Sequence, residues 1–428
     1  MSKLQHSAIT SAFSSYGERP VLALGVAVTI GYGTLFYAYG VLAPAMAADM
    51  GVRLDTFFAV FTGALLASAI FAPMAGAWLD RYGARTILAL GSVAATISLL
   101  ICAAAPNIWV LGFGLLAVEF AAALVLYEAC FAGLAQIYGH NARVRITAIT
   151  LIAGFASTLF WPVTTWLQAQ FGWREALAVF AVLHLLIALP LHLFAFSRHK
   201  SKTRSSAPQE DEMTAALCRS EPAILVGRER VRGAIVLGAG FCVIGLVYSA
   251  IPIHMLRIIE ANGFTQAQAA LIAMVMGPVQ VLARVLELVG GQRFDPLVTL
   301  RISIVAMGLS VLALLAGQMT GQSTIASALV FAACFGAGQG LITIAKGTVP
   351  LMLFGPRGYG TINGRLTGAR FVATAFGPVT FAWATTQYSM QVALAGCFLL
   401  AVLTLVIFSA LKRPERASVE MMPDGRCC

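Results

Sequence analysis

Arg284 and Glu287 stand one helical turn apart in GPVQVLARVLELVGG, an otherwise apolar run, and Arg370 opens a second, RFVATAFGPVT. A charge at the centre of a helix in hydrocarbon costs about 3 kcal/mol, so such residues mark places where something charged is bound or moved. A guanidinium group grips a carboxylate through paired hydrogen bonds, and two arginines facing one cavity suit an organic anion. A plainer alternative pairs Arg284 with Glu287 on its own helix and lets Arg370 reach for the membrane surface. Gln280, one turn before Arg284, and Tyr32 and Tyr37 in the first apolar run are further candidates for lining such a cavity.

Carboxylates come next. Glu119 lies about eleven residues into its run, near the middle of a membrane by helical rise, where it suits a proton carrier or substrate partner. Glu287 is a second proton-coupling candidate. Glu128 follows Tyr127 toward the end of the same run as Glu119 and is expected to join a charge network around Asp80. Lys346 sits close to the end of its run and is expected to snorkel.

The elements that must hold these residues follow from composition. The chain is 59% hydrophobic with only 11% charged residues, and its mean hydropathy is +0.85, whereas about a quarter of a soluble chain is charged. Twelve windows are long and apolar enough for transmembrane helices. The expected fold is an all-α integral membrane protein: a tail over 1–20, six helices within 21–196, a polar linker over 197–232, six helices within 233–411 and a tail over 412–428. Twenty-one Lys and Arg fall on the linker and tail side, against Arg53, Arg174 and Arg257 on the other. Both termini are therefore expected in the cytoplasm, in the plasma (bacterial inner) membrane, with no removable signal peptide. The net charge of +10 is read as this orientation signal facing anionic lipid, and nucleic acid is not an expected partner.

The two six-helix halves look duplicated. Phe155, Thr158, Phe160, Pro162, Val163 and Thr164 recur as Phe371, Thr374, Phe376, Pro378, Val379 and Thr380, all at one offset. Parallel repeats of this kind are a transporter plan, with the substrate site at the midplane between halves.

Between the second and third windows lies GAWLDRYGAR. Gly76, Asp80, Arg81, Gly83 and Arg85 match the G-x-x-x-D-R-x-G-x-R signature found there in the major facilitator superfamily, and span count, duplication and linker extend the resemblance to the whole chain. Ala84 departs from the signature, which usually carries a further basic residue. The resemblance implies that Asp80 and the two arginines form a network that latches the halves in one conformation. The second half's counterpart, ELVGGQRFDP, is degenerate. Within the superfamily QVLAR resembles the D-x-x-x-R of monocarboxylate and oxalate/formate porters, with Gln280 where the acid stands, and the porters' Arg is read as the carboxylate ligand. In the oxalate/formate relatives a second cation lies in the helix that holds Arg370. The glycine series of drug/proton antiporters is absent from the fifth span, where Trp161, Val163 and Thr164 surround Pro162.

Other chemistry is poorly provided for. GAGQG (Gly336 to Gly340) lies inside an apolar run, without the strand-to-helix setting of a phosphate loop. His184 and His192 lack a ligand pattern, and cysteines facing a reducing cytosol imply no disulfides. Neither an enzyme nor a cofactor or metal site is expected. The expected activity is secondary transport of a small organic anion such as a monocarboxylate, proton-coupled or by exchange, by a monomer. The alternatives are efflux of a drug or metalloid, the latter suiting the Cys427-Cys428 end, and a membrane ligand sensor.

Overall fold

The computed structural model describes residues 19–196, 224–290, 295–319 and 324–414. The tail before Arg19, the linker from 197 to 223, Arg293, and Cys427 and Cys428 lie outside the described residues.

Every regular element among the described residues is helical. The first half comprises α1 (Arg19–Asp49), α2 (Leu54–Tyr82), α3 (Ala84–Ala103), α4 (residues 108–138), α5 (residues 142–171) and α6 (Trp173–Ala195). The second comprises α7 (Gly227–Glu260), α8 (Gln266–Gly290), α9 (Pro296–Met319), α10 (Ile325–Phe354), α11 (Tyr359–Gln387) and α12 (Met390–Ser409). Eleven of these twelve belong to segments apolar enough to cross a membrane, α4 and α5 forming one continuous segment that turns back at Gly139. The exception, α11, has a polar first half, TINGRLTGAR, for which the packing against α2 gives the reason.

Local sequence sets the helix ends. Asn107 accepts hydrogen bonds from the N–H groups of Trp109 and Val110 and so starts α4, and Thr324 and Ser389 do the same for α10 and α12. The turns after α2 and α10 are made at Gly83 (φ 82°) and Gly355 (φ 74°), a region that side chains disfavour.

Each half has its own apolar core. Leu24, Leu42, Leu99, Leu115 and Phe180 belong to one, and Phe241, Ile258, Met307, Phe331 and Phe408 to the other. Large apolar side chains such as Ile70, Trp109, Leu186 and Ile235 point outward, as a lipid-facing surface requires. Between halves, α2 packs on α11, α5 on α8 and α10, and α4 on α10 and α11.

Candidate functional site

The seam between the halves begins at α2 and α11. Gly360, Gly364 and Gly368 recur every fourth residue along one face of α11. A Cβ on any of them would collide with α2, at Gly76 and Asp80, at Ala72, and at Ala69 and Pro73 respectively. Small residues at this spacing let backbones touch where lipid supplies no hydrophobic drive. The polar first half of α11 is thus buried against protein.

Asp80 sits at the end of this seam. Its carboxylate accepts hydrogen bonds from the backbone N–H of Gly360 (3.0 Å) and of Thr361 (2.6 Å), and from the Thr361 hydroxyl (2.6 Å). Gly358, at the N-cap of α11, has no side chain with which to cap it. Asp80 therefore caps α11 from the other half, placing negative charge where the helix dipole is positive. Arg81 lies exposed, 5.2 Å from the centroid of the Tyr82 ring, and Arg85 is exposed too. The contacts made by Asp80 are with the backbone and the Thr361 hydroxyl at the start of α11, where a network with the two arginines was expected.

Glu128 is not in that network either. Its Oε1 accepts from Nη2 of Arg370 at 2.9 Å, an ion pair between α4 and α11. Arg370 is only 8% exposed, which argues against the alternative in which it snorkels. Glu287 does not pair with Arg284. It binds Arg143 of the other half at 2.9 Å and accepts a hydrogen bond from the Thr299 hydroxyl at 3.1 Å. A carboxylate held by a cation and a hydroxyl is fitted to joining α5 to α8.

Arg284 reaches the opposite half by another route. Its Nη1 donates to the carbonyl of Thr150 on α5 at 2.8 Å. That carbonyl is near the end of a helical segment: α5 is interrupted between Ala142–Ala153 and Ala156–Phe171, and Gly154 leaves the space that the guanidinium fills. A second interruption, at Leu126, divides α4 into Ile108–Val125 and Tyr127–Tyr138, just before Tyr127 and Glu128. Helices broken where they line an interior site are a recurring device in membrane transporters. Neither break was foreseen from the sequence, and Leu126 gives no signal of one.

Aromatic rings complete this region. Tyr32 is 4.6 Å from Tyr127 and 6.3 Å from Tyr37, centroid to centroid, and Tyr37 is 6.0 Å from Trp161. Tyr37 and Tyr127 lie within electrostatic range of Arg284. On the facing half, Gln280 donates to Gln339 at 3.4 Å, linking α8 to α10. Gly336 and Gly340 admit the backbone of α8 at Met276 and Gln280, so the GAGQG stretch is a packing surface.

Lys346 was missed. α10 runs to Phe354, which leaves Lys346 about 12 Å of helix from its end. Its ammonium rests over the Tyr248 ring at 4.5 Å, and the charges in range are Arg370, Glu128 and Arg284. The expected snorkelling position gives way to one inside the interface. Glu119, 6% exposed, is apart from this group, with Ser68 and Tyr39 of its own half as neighbours. His184 bonds Thr34 at 2.8 Å and His192 bonds Ser92 at 2.7 Å, both within the first half.

Known proteins resemble this chain in part and in whole. Over 129 residues it is 34% identical to a multidrug resistance protein B homolog of Mycobacterium tuberculosis, in two strains. That match takes in 30% of this chain and spans about a quarter (24%) of the relative's length. Among solved structures, the human organic anion transporter MFSD10 (TETRAN) is 15% identical with a TM-score of 0.66, over 92% of this chain and 100% of that one. The proton:xylose symporter XylE is 15% identical with a TM-score of 0.69, over 93% and 97%. The E. coli fucose:proton symporter FucP is 12% identical with a TM-score of 0.66, over 91% and 98%. At these identities the likeness is one of fold. The family model of the Major Facilitator Superfamily matches residues 24–292, more than half of the chain, and the protein belongs to that superfamily of membrane transporters.

Proposed function

We propose that the protein moves a small organic anion across the plasma (bacterial inner) membrane by alternating access, with a proton or in exchange, acting as a monomer with both termini in the cytoplasm. The observation that carries this reading is Arg284: 4% exposed, at the meeting of the halves, and held only by a neutral carbonyl among the described residues. A guanidinium in that setting wants an anion. Arg370 adds positive charge, and Gln280, Tyr32 and Tyr37 offer neutral hydrogen bonds. A monocarboxylate is the simplest anion of this class. Glu119, paired with no cation among the described residues, is the proposed proton carrier. Contacts gathered on the side of the Gly83 and Gly355 turns suit a state closed there, with Asp80 as its latch.

The test uses purified protein in proteoliposomes holding a pH-sensitive dye, challenged with monocarboxylates, dicarboxylates, arsenicals and cationic drugs. A carboxylate-driven proton flux or counterflow that is lost in Arg284→Gln and Arg370→Gln is expected. If both variants transport the substrate like wild type, the reading falls. A second reading, drug export, is favoured by the local likeness to the multidrug resistance protein B homolog, and flux of a cationic drug alone would select it.

A further inference from the structure

Where the halves join, Lys346 lies within electrostatic range of Arg284, Arg370 and Glu128. The four are not equally free. Arg370 and Glu128 satisfy each other at 2.9 Å. Arg284 has only the Thr150 carbonyl, and its Nε is buried without a hydrogen-bond partner. Lys346 has the face of Tyr248. Neither of these two cations forms an ion pair with a carboxylate among the described residues. Arg284 is buried and Lys346 partly so; cations left unmatched inside a membrane are costly, and two positive charges there call for two negative ones.

The two free cations also belong to one surface. α8 and α10 lie backbone to backbone through Gly336 and Gly340, and the Gln280–Gln339 hydrogen bond joins them. Arg284 follows Gln280 by one turn and Lys346 follows Gln339 by two, so both cations extend one polar strip of the second half. Tyr37 and Tyr127 of the first half face it within range of Arg284.

We propose that the substrate is a small dianion, such as a dicarboxylate, whose two charged groups are taken by Arg284 and Lys346 while Arg370 stays paired with Glu128. This rests on the reading of the interface as an organic-anion site and goes beyond it in charge and in ligand: a monocarboxylate satisfies one cation and leaves the other exposed to the same cost. Lys346, whose ammonium rests on an aromatic face, becomes the residue that distinguishes two charges from one.

The experiment measures uptake of radiolabelled malonate, succinate and glutarate, against lactate, by the full chain in proteoliposomes at neutral pH. Wild type, Lys346→Met and Lys346→Arg are compared, each checked for a monodisperse profile in detergent. At least one dicarboxylate is expected to be taken up, with its KM raised about tenfold or more by Lys346→Met and largely restored by Lys346→Arg, because one charge-assisted contact is lost and regained. Lactate is expected to be a poor substrate whose uptake Lys346→Met does not weaken. Uptake of lactate without any dicarboxylate, or a Lys346→Met variant indistinguishable from wild type on dicarboxylates, overturns the proposal and leaves the organic-anion reading in place. Uptake of none of the four, with a cationic drug transported instead, removes both.

Discussion

The guanidinium of Arg284 fills the space that Gly154 leaves open on the facing half. A Cβ at position 154 would stand 2.5 Å from Nη1. By the internal repeat, Gly154 is the counterpart of Arg370. One half thus carries a cation at this position, and the other carries an absence that receives a cation from across the interface.

Gly154→Ala separates binding from folding. The backbone there is right-handed helical (φ −59°, ψ −22°) and accepts alanine, so the fold should persist, the backbone gain being offset where the buried guanidinium is moved. The methyl group must displace the guanidinium, and substrate affinity should fall about tenfold, near 1.4 kcal/mol. Thermal unfolding in detergent and a transport KM read the two effects. An unchanged KM would mean that Arg284 does not hold substrate from this position.

Glu287→Gln should weaken the closure of the halves. It leaves Arg143, a side chain 20% exposed, facing a neutral amide. Breaking a buried pair costs about 3–5 kcal/mol, and partial solvation of Arg143 reduces that to about 1–2 kcal/mol. A single cysteine, Ala72→Cys, in a background without the native thiols reports on the α2–α11 seam. Its labelling should rise about tenfold in Glu287→Gln and return toward wild type when Arg143→Glu is combined with Glu287→Arg. No recovery in the charge-reversed pair would count against a lock between these two residues.

Asp80→Asn should act in the same direction with a smaller effect. The amide keeps one acceptor for the N-terminus of α11 and loses the charge, worth about 1 kcal/mol at an exposed helix end, so labelling at Ala72→Cys should rise about fivefold. Asp80→Ala should exceed it, since all three hydrogen bonds go. Arg81→Gln should change little, because Arg81 lies out over Tyr82. Equal effects of Arg81→Gln and Asp80→Asn would restore the ion network as the latch.

Much of the fold was legible because hydropathy counts residues, and hydrocarbon thickness fixes how many are needed. The turn at Asp80 was legible for a similar reason, since glycine, acid and arginine cluster at a reversal. Partners were harder. Nothing local to Glu128 indicates that its carboxylate meets Arg370, 242 residues away, and nothing local to Glu287 points to Arg143. Lys346 was misjudged because its apolar window ends near Val349, while the helix continues to Phe354 and is stopped only by the conformation of Gly355. Depth is set by where a helix ends, and the last turn of α10 gave no hydropathic sign.

The glycine spine of α11 has a mechanical consequence. Where helices interlock through large side chains, parting them means drawing each out of its socket, and the work rises in steps. Along Gly360, Gly364 and Gly368 two smooth backbones touch instead. Such a surface works as a plain bearing, along which two helices can roll with little friction, and the resistance to parting them is concentrated in polar contacts such as those of Asp80 at its end.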